Sequence, residues 1–495
     1  MRRTCLPILV AISLLIGAVT WAQEPIDRDM IAKIKDEGLN RSQVVETFTH
    51  FTEDIGPRLT GSPAHKRAAE WARDKLTAWG LSEARLEPFE FGRGWTMDRL
   101  TLEMVEPRYL PLSGFAEAWS PSMTKEVVAA PVFIGDKNQQ AIQEMQAKLK
   151  GAIVMSQPIQ TVFERADRPQ PTLSDKPVAI GAPRHSAPSP LVNRQTMTQL
   201  LNQARPAVVL RPNFGEHGTM FVQGVPNREA TVPSIVLSSE QYNLIARMIQ
   251  RGIPVKLRVK LKTRFLTKDK NSYNVIAELP GTDPVLKNQV VMIGAHLDSW
   301  HAGTGATDNA DGAAVVMEAL RILNAIGARP KRTIRMALWS GEEEGLLGSK
   351  AYVASHLLGD ANKPAREKFD VYFNLDPGTG PIYGWYLENN ERVRPIFDAW
   401  LDQFHDVAAR KNIIQPIGNT DHLSFIAAGI PGFNAVQDYT DYDVREHHTN
   451  VDTFERVNLT ELRQCAVVMA SFAYLAAMRA EKIPFVAPLP TRPPE

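Results

Sequence analysis

Short clusters of histidine and acidic residues recur in the second half of the chain, and their residue types point to metal chemistry. Imidazole and carboxylate groups are the zinc ligands typical of catalytic sites, which keep a further position open for water. Two histidines, two aspartates and one glutamate would give each of two zinc ions three ligands, provided that one aspartate bridges both ions. A second glutamate would remain as a proton shuttle. The clusters are His296-Leu297-Asp298, Asp308-Asn309-Ala310-Asp311, Glu342-Glu343-Glu344, Asp376-Pro377-Gly378 and Glu446-His447-His448.

Each cluster taken alone also has an ordinary structural interpretation. His296 could make local hydrogen bonds at a strand end, and Asp311 is predicted to cap the helix that follows it. The three glutamates at 342–344 could form a solvated turn. Adjacent carboxylates repel one another, however, and the apolar run before them and the glycines and leucines after them favour a packed, functional loop. In an extended chain Asp298 faces the same side as His296, where its carboxylate can orient a metal-binding imidazole.

The elements that must position these clusters form an alternating pattern from residue 274 onwards. The predicted strands lie at 275–279, 290–295, 333–339, 371–375 and 432–436, and the predicted helices at 312–326, 349–358, 392–404 and 459–478. This alternation predicts an α/β fold in which a mainly parallel sheet is flanked by helices. Ligands bind beyond the carboxyl ends of the strands in such sheets, and the clusters fall at those ends.

The chain is too long for a single core, since cores stop growing at roughly 250–300 residues, and this chain has 495. Residues 111–263 have a different texture, with short strands between proline-rich polar loops, and carry no acidic or histidine cluster. We expect a separate β-rich domain there, inserted between a first segment of the main domain at 23–110 and a second at 264–483. The proline-rich residues 484–495 are predicted to form a loose tail.

The N-terminus has the features of a signal peptide. Arg2 and Arg3 precede an apolar run at 6–19, and Ala22 stands where cleavage is expected, so residues 1–22 are predicted to be removed. The alternative is a permanent membrane anchor, but the run is short for a bilayer span of roughly 20 residues. The mature chain is therefore expected to be exported, to the periplasm or the medium, without stable membrane insertion.

Charge, cysteine content and the lack of one sequence motif argue against several other classes of protein. The 56 basic and 55 acidic residues give a net charge of +1, which provides no electrostatic argument for nucleic acid. Only Cys5 and Cys465 are present, so the mature chain could form no internal disulfide. Cys465 lies in an apolar helical stretch and is predicted to be a buried small hydrophobe. No Gly-x-Ser-x-Gly sequence stands before a helix, which argues against a serine hydrolase.

Together the clusters, with the Ile55-Gly56-Pro57-Arg58-Leu59-Thr60-Gly61-Ser62 loop and the His448-Thr449-Asn450-Val451-Asp452-Thr453 run, resemble the M28 family of zinc peptidases. The resemblance implies a zinc-aminopeptidase-like (phosphorylase/hydrolase-like) α/β fold. The β-rich stretch 111–263 is similar, in position and texture, to the protease-associated (PA) domain that some members of the family carry as an insert.

The resemblance also implies roles for individual residues. Asp308 would bridge two zinc ions, and its peptide bond to Asn309 resembles one that is cis in the family. Asp298 would orient a ligand, and Glu342 would be the general base, because Gly345 sets the register of the glutamates. His447 falls where relatives vary and is not predicted to be a ligand. The other ligands implied are His296 and Asp376 for one ion and Glu343 and His448 for the second.

These roles imply an exported exopeptidase with two zinc ions per chain, which hydrolyses short peptides or dipeptides through a metal-activated water. Two alternatives share the fold: a glutaminyl cyclase-like acyltransferase with a single zinc ion, and a non-catalytic, receptor-like binding protein. The complete ligand set argues against both. The expected partner is a peptide substrate rather than nucleic acid, and a homodimer is expected by analogy with relatives.

Overall fold

The computed structural model describes residues 24–171, 191–226 and 231–487. The predicted signal peptide at 1–22 and most of the predicted proline-rich tail lie outside these residues. In the described part of the chain, no helix is both long enough and apolar enough to span a membrane.

Within the described residues the chain forms sixteen strands. They are β1 Ser82–Glu90, β2 Gly94–Glu106, β3 Leu110–Pro111, β4 Gly114–Ala116, β5 Val127–Ala129, β6 Val132–Phe133, β7 Ile153–Met155, β8 Val208–Arg211, β9 Ser234–Leu237, β10 Lys256–Leu266, β11 Asn271–Leu279, β12 Val290–His296, β13 Thr333–Trp339, β14 Phe369–Asn374, β15 Thr379–Trp385 and β16 Gly432–Asp438.

The α-helices of the same described residues alternate with these strands. They are α1 Arg28–Asn40, α2 Val44–Thr49, α3 Pro63–Ala78, α4 Gln139–Glu144, α5 Gln146–Leu149, α6 Arg194–Ala204, α7 Ser239–Gln250, α8 Asp311–Ala325, α9 Leu347–His356, α10 Lys363–Lys368, α11 Arg394–Leu401, α12 His422–Ala427 and α13 Leu459–Met478.

The largest sheet has seven strands in the order β1-β11-β13-β12-β14-β16-β15. Its central strands β13, β12, β14 and β16 are parallel, and the antiparallel pairs lie towards the edges. Parallel strands need long crossover connections, which helices such as α8 provide between β12 and β13. The predicted α/β fold with a mainly parallel sheet is therefore confirmed.

Helices cover both faces of this sheet, as the continuous apolar runs of its central strands require. Successive side chains of a strand point to opposite faces. On β12, Val291 and Ile293 thus pack in a core with α8 and α13, whereas Met292 packs on the other face with side chains of α9 and α12. Each such aliphatic side chain, once fully buried, contributes about 1.5–3 kcal/mol to folding.

Two smaller sheets form a second unit. One has four strands in the order β3-β2-β10-β5, and the other has five in the order β4-β9-β8-β7-β6. They share a core that includes Trp95, Trp119 and Tyr242. The long pair of β2 with β10 joins a strand that precedes the stretch 111–263 to one that runs across its end at residue 263, and the domain limits there stay a prediction.

The start of α8 differs by one residue from the expected cap. Asp311 is the first residue of the helix and does not precede it. The Gly312 N–H donates instead to the side-chain oxygens of Asn309, at 3.0 Å, and of Asp311, at 2.6 Å. The sequence indicated Asp311 as the capping residue, but the turn at 306–310 also brings the Asn309 side chain to the Gly312 N–H.

Candidate metal centre

The four parallel strands end at one edge of the sheet and bring the sequence clusters to that edge. β12 ends at His296, β13 at Trp339, β14 at Asn374 and β16 at Asp438. A buried chain of hydrogen bonds supports the edge from below, because the Tyr372 hydroxyl accepts from Trp339 Nε1 and donates to Asn374 Oδ1. The loops that follow these strands therefore start from rigid positions.

The first group of candidate ligands lies directly beyond β12 and β14. His296 Nε2 is 3.3 Å from Asp308 Oδ1 and 3.7 Å from Asp376 Oδ1. All three residues are buried, and one ligand atom from each lies within 4.8 Å of the others. This spacing suits a shared cation, which each atom could contact from a different side.

The second group shares Asp308 with the first. His448 Nε2 is 3.4 Å from Asp308 Oδ2 and 2.8 Å from Glu343 Oε2. The two oxygens of Asp308 thus face two different histidines, His296 through Oδ1 and His448 through Oδ2. A carboxylate with this arrangement can bridge two ions. The peptide bond between Asp308 and Asn309 is cis, as the resemblance implied.

Asp298 holds the glutamate loop more directly than it holds the imidazole. Its carboxylate accepts hydrogen bonds from the backbone N–H groups of Glu342 and Glu343, at 3.3 and 3.2 Å, and from the Thr60 hydroxyl at 3.0 Å. His296 Nδ1 lies 3.8 Å from this carboxylate but 3.0 Å from the Asp298 backbone carbonyl. The orienting contact to His296 therefore comes from the Asp298 main chain.

Electrostatics at the site reflect the crowding of carboxylates. Burial raises the pKa of Glu343 well above its ordinary value, and the carboxylate of Asp308 raises it further. Burial alone would lower the pKa of His296, but Asp376 and Glu342 outweigh burial and raise it. Burial likewise opposes ionisation of Asp308, but the nearby imidazole of His296 and the charge of His448 lower its pKa.

Glu342 belongs to the same loop and is half-buried. Burial of its carboxyl raises its pKa well above the ordinary value, and the negative charges of Asp376 and Asp421 raise it further, while His296 opposes the shift. A carboxylate with a raised pKa holds a proton more readily than an exposed one, as a proton shuttle must.

The donor set fits divalent zinc. His296 Nε2, Asp308 Oδ2 and Glu343 Oε1 are buried and have no hydrogen-bond partner, although buried polar atoms are paired in most proteins. The donors are imidazoles and carboxylates, which zinc accepts, and none is a cysteine. A cation among these atoms would satisfy them and offset the repulsion between the carboxylates.

Two residues of the recognised motifs support this site in ways that their sequence did not reveal. Asp452 accepts from Thr307 N and Oγ1, at 2.8 and 2.9 Å, and from Asp308 N at 3.2 Å. The buried Arg58 guanidinium donates to the carbonyls of Leu297, Phe51, Gly56, Thr304 and Gly305. Both residues tie together loops that are far apart in sequence.

His447 lies closer to the site than its sequence position suggested. One of its ring nitrogens falls within 4.8 Å of ligand atoms of Asp308 and His448, and its ring is 3.7 Å from that of His448. The only feature of the sequence that could have indicated this position is that His447 directly precedes His448. By contrast, His422 is buried elsewhere, with its Nε2 3.2 Å from Glu388 Oε1.

Comparison with known proteins agrees with this geometry. The sequence pattern of Peptidase family M28 matches residues 274–473, which contain all five candidate ligands. Over these residues the chain is similar to peptidase family M28. The chain is 25% identical to carboxypeptidase Q of Homo sapiens over 450 residues, which cover 90% of this chain and 88% of that protein. It is 34% identical to leupeptin-inactivating enzyme 1 of Streptomyces exfoliatus over 182 residues, or 36% of this chain and 39% of that enzyme.

Solved structures of the same family share the fold. A peptidase M28 precursor from Shewanella amazonensis SB2B superposes with a TM-score of 0.70 at 25% identity, and 94% of this chain and 99% of that chain are covered. A zinc aminopeptidase from Bacillus subtilis superposes with a TM-score of 0.59 at 20% identity, over 89% of this chain and 96% of that one. The chain is thus an enzyme, a zinc metallopeptidase that hydrolyses peptide bonds.

Proposed function

We propose that this chain is an exported exopeptidase that uses two zinc ions to hydrolyse short peptides or dipeptides. The observation that carries the proposal is the position of Asp308, whose two carboxylate oxygens face His296 and His448 separately. A carboxylate in this position can bridge two ions, which a single-zinc acyltransferase would not need. The buried donors without partners support the same conclusion.

Five residues are proposed to hold the ions. His296 and Asp376 would bind one ion, Glu343 and His448 would bind the other, and Asp308 would bind both. Each ion would then have three protein ligands, which leaves room for water and substrate. Zinc ions held there would act as Lewis acids on the scissile carbonyl and lower the pKa of a bound water.

Glu342 is proposed to be the general base. It would take a proton from the water that attacks the scissile carbonyl and then deliver that proton to the leaving amine. Its raised pKa suits both transfers. Asp298 fixes the position of Glu342 through the backbone N–H at 3.3 Å. A free substrate α-amine would be attracted by the carboxylates around the site, which favours cleavage at a peptide end.

The test combines zinc analysis with a base variant. We expect about two zinc ions per purified chain, and dipeptide hydrolysis that is lost on chelation and restored by zinc. Glu342→Gln should keep both ions but lower kcat by about 10²–10⁴-fold, because proton transfer is lost. The exposed Glu53→Gln is the matched control and should behave as wild type.

Other outcomes would redirect the proposal. One zinc ion per chain would favour the cyclase-like acyltransferase, and no zinc without hydrolysis would favour a binding protein. Near-native hydrolysis by Glu342→Gln would mean that another group is the base.

Export, oligomeric state and domain organisation are parts of the same proposal. Cleavage after Ala22 would place the mature enzyme in the periplasm or the medium, and N-terminal sequencing of the exported protein tests it. The stretch 111–263 is proposed to be a PA-like domain. A homodimer, proposed by analogy with relatives, can be tested by sedimentation of the purified mature chain.

A further inference from the structure

A short segment of the second unit pairs with the loop that carries His448. The Val222 N–H donates to the His448 carbonyl at 3.0 Å, and the Asn450 N–H donates to the Met220 carbonyl at 3.1 Å. The Asn450 side chain in turn accepts from the Met220 N–H at 2.6 Å. Phe221 thus lies opposite Thr449 in an isolated antiparallel bridge. The second unit therefore contacts the metal centre through backbone hydrogen bonds.

This pairing supports an uncommon backbone conformation. His448 has a φ of 65°, in the left-handed region that few residues other than glycine adopt. Its carbonyl is held from the second unit by Val222, and its ring packs edge-on against Trp300, at 6.1 Å between centroids. The direction of the His448 imidazole thus depends on neighbours outside its own loop.

The same pairing places a side chain on the far side of the His448 ring. The Gln223 amide nitrogen Nε2 lies 2.6 Å from His448 Nδ1, while His448 Nε2 faces Glu343 and Asp308. An imidazole that binds a metal through Nε2 carries its proton on Nδ1 and must donate it. Of the two amide positions of a glutamine, only Oε1 accepts, and a half-turn of the amide places Oε1 at this contact.

We propose that Gln223 is a positioning residue for the metal centre. Its amide oxygen accepts a hydrogen bond from His448 Nδ1, which fixes the tautomer of the imidazole and aims Nε2 at Glu343 and Asp308. The inference rests on the proposed two-zinc function. It gives the second unit, which carries no candidate ligand, a direct part in metal binding.

The two histidines are then supported from different units. His296 Nδ1 is 3.0 Å from the Asp298 carbonyl, within the seven-stranded sheet region, whereas His448 Nδ1 contacts Gln223 of the second unit. Loss of the Gln223 contact should therefore weaken only the ion held by His448 and Glu343. The ion held by His296 and Asp376 should keep its affinity.

The experiment measures zinc affinity on the full chain. Wild type, Gln223→Leu and Gln223→Glu are equilibrated at chelator-buffered free zinc concentrations, and bound zinc per chain is determined. Gln223→Leu should weaken one of the two ions by about 10–100-fold, the usual effect of removing a group that orients a ligand. Gln223→Glu should restore the affinity, because a carboxylate also accepts from Nδ1. Gln203→Leu, at an exposed position on α6 of the same unit, should bind as wild type.

A second readout is the visible spectrum of the cobalt-substituted chain, where Gln223→Leu should perturb the signal of one ion only. Unchanged zinc affinities and cobalt spectrum in Gln223→Leu would overturn the inference, as would a Gln223→Glu variant as weak as Gln223→Leu. His448→Ala separates the two proposals. If it loses an ion that Gln223→Leu retains, the two-zinc function stands and the role of Gln223 does not. If wild type binds fewer than two ions, both fail.

Discussion

The edge of the seven-stranded sheet and the interior of the second unit contain buried polar side chains of different kinds. In the second unit, the buried Thr263 hydroxyl donates to the Ser120 carbonyl at 2.8 Å, so its polar atom is satisfied. At the sheet edge, ligand atoms of His296, Asp308 and Glu343 are buried without a hydrogen-bond partner. An unpaired buried polar group costs free energy, and an unpaired buried charge costs more.

The difference indicates where each region obtains its stability and its function. The Thr263 hydroxyl is paired without any ligand, so its role is structural. At the sheet edge, bound cations would satisfy the unpaired ligand atoms. The contact of Gln223 with His448 and the backbone pairing of Met220 and Val222 with the His448 loop join the two regions. The predictions below separate a site that needs metal from a scaffold that does not.

The largest effect is expected for Asp308→Asn, which removes the carboxylate proposed to bridge both ions. Zinc content should fall below two per chain, and kcat/KM should fall at least about 10⁴-fold, as when one member of a catalytic unit is lost. Elemental analysis and dipeptide assays measure both. The exposed Asp29→Asn serves as control. Retention of two ions by Asp308→Asn would contradict the bridging role.

A large loss of stability is expected for Arg58→Met. The buried Arg58 guanidinium donates to five carbonyls and lies among the charges of Asp452, Asp298 and Asp308. Its removal leaves those groups unpaired and should lower the free energy of unfolding by about 3–5 kcal/mol, measured by urea denaturation. Arg67→Met, at an exposed position, should change stability little. Equal stability of the two variants would show that Arg58 is dispensable.

An intermediate effect should appear as a pH dependence caused by His65. Burial lowers the pKa of His65 from 6.5 to about 4, although the charge of Asp298 opposes the shift. The unfolded chain therefore binds this proton at higher pH than the folded chain. Stability from His65 is complete above about pH 6.5 and should fall by about 3 kcal/mol as the pH drops towards 4.

Urea unfolding of the zinc-free chain at pH 7.5 and pH 4.5 measures this loss. His65→Gln should remove its share of the pH dependence, whereas His217→Gln, at an exposed position, should not. If the free energy of unfolding of His65→Gln changed with pH as much as that of wild type, other groups would be responsible for the pH dependence.

The smallest effect is expected for Thr263→Val in the second unit. The variant loses the hydrogen bond to Ser120 and should lower the free energy of unfolding by about 1 kcal/mol. Zinc content and kcat should stay as in wild type, because Thr263 supports only its own sheets. A loss of zinc would mean that Thr263 also affects the metal centre, through the contacts that join the two regions.

Much of the main sheet could be predicted from local sequence. Apolar runs such as 290–295 and 333–339 are typical of strands buried on both faces, and the structure has strands at Val290–His296 and Thr333–Trp339. The clusters that contain the candidate ligands followed from the same pattern, since residues after parallel strands meet at one edge, and the family resemblance then singled out the individual ligands. The capping role of Asn309 was missed, because it depends on how the preceding turn folds.

The sequence by itself determined the α/β fold, the residue types at the strand ends and the resemblance to family M28, because these depend on periodicity and on motifs of a few residues. Only the tertiary structure decided which atoms meet. The two directions of the Asp308 carboxylate, the link from Asp452 to Thr307 and the contact of Gln223 with His448 join residues that are distant in sequence. No local pattern encodes such contacts, since they arise only when separate loops pack at the same edge.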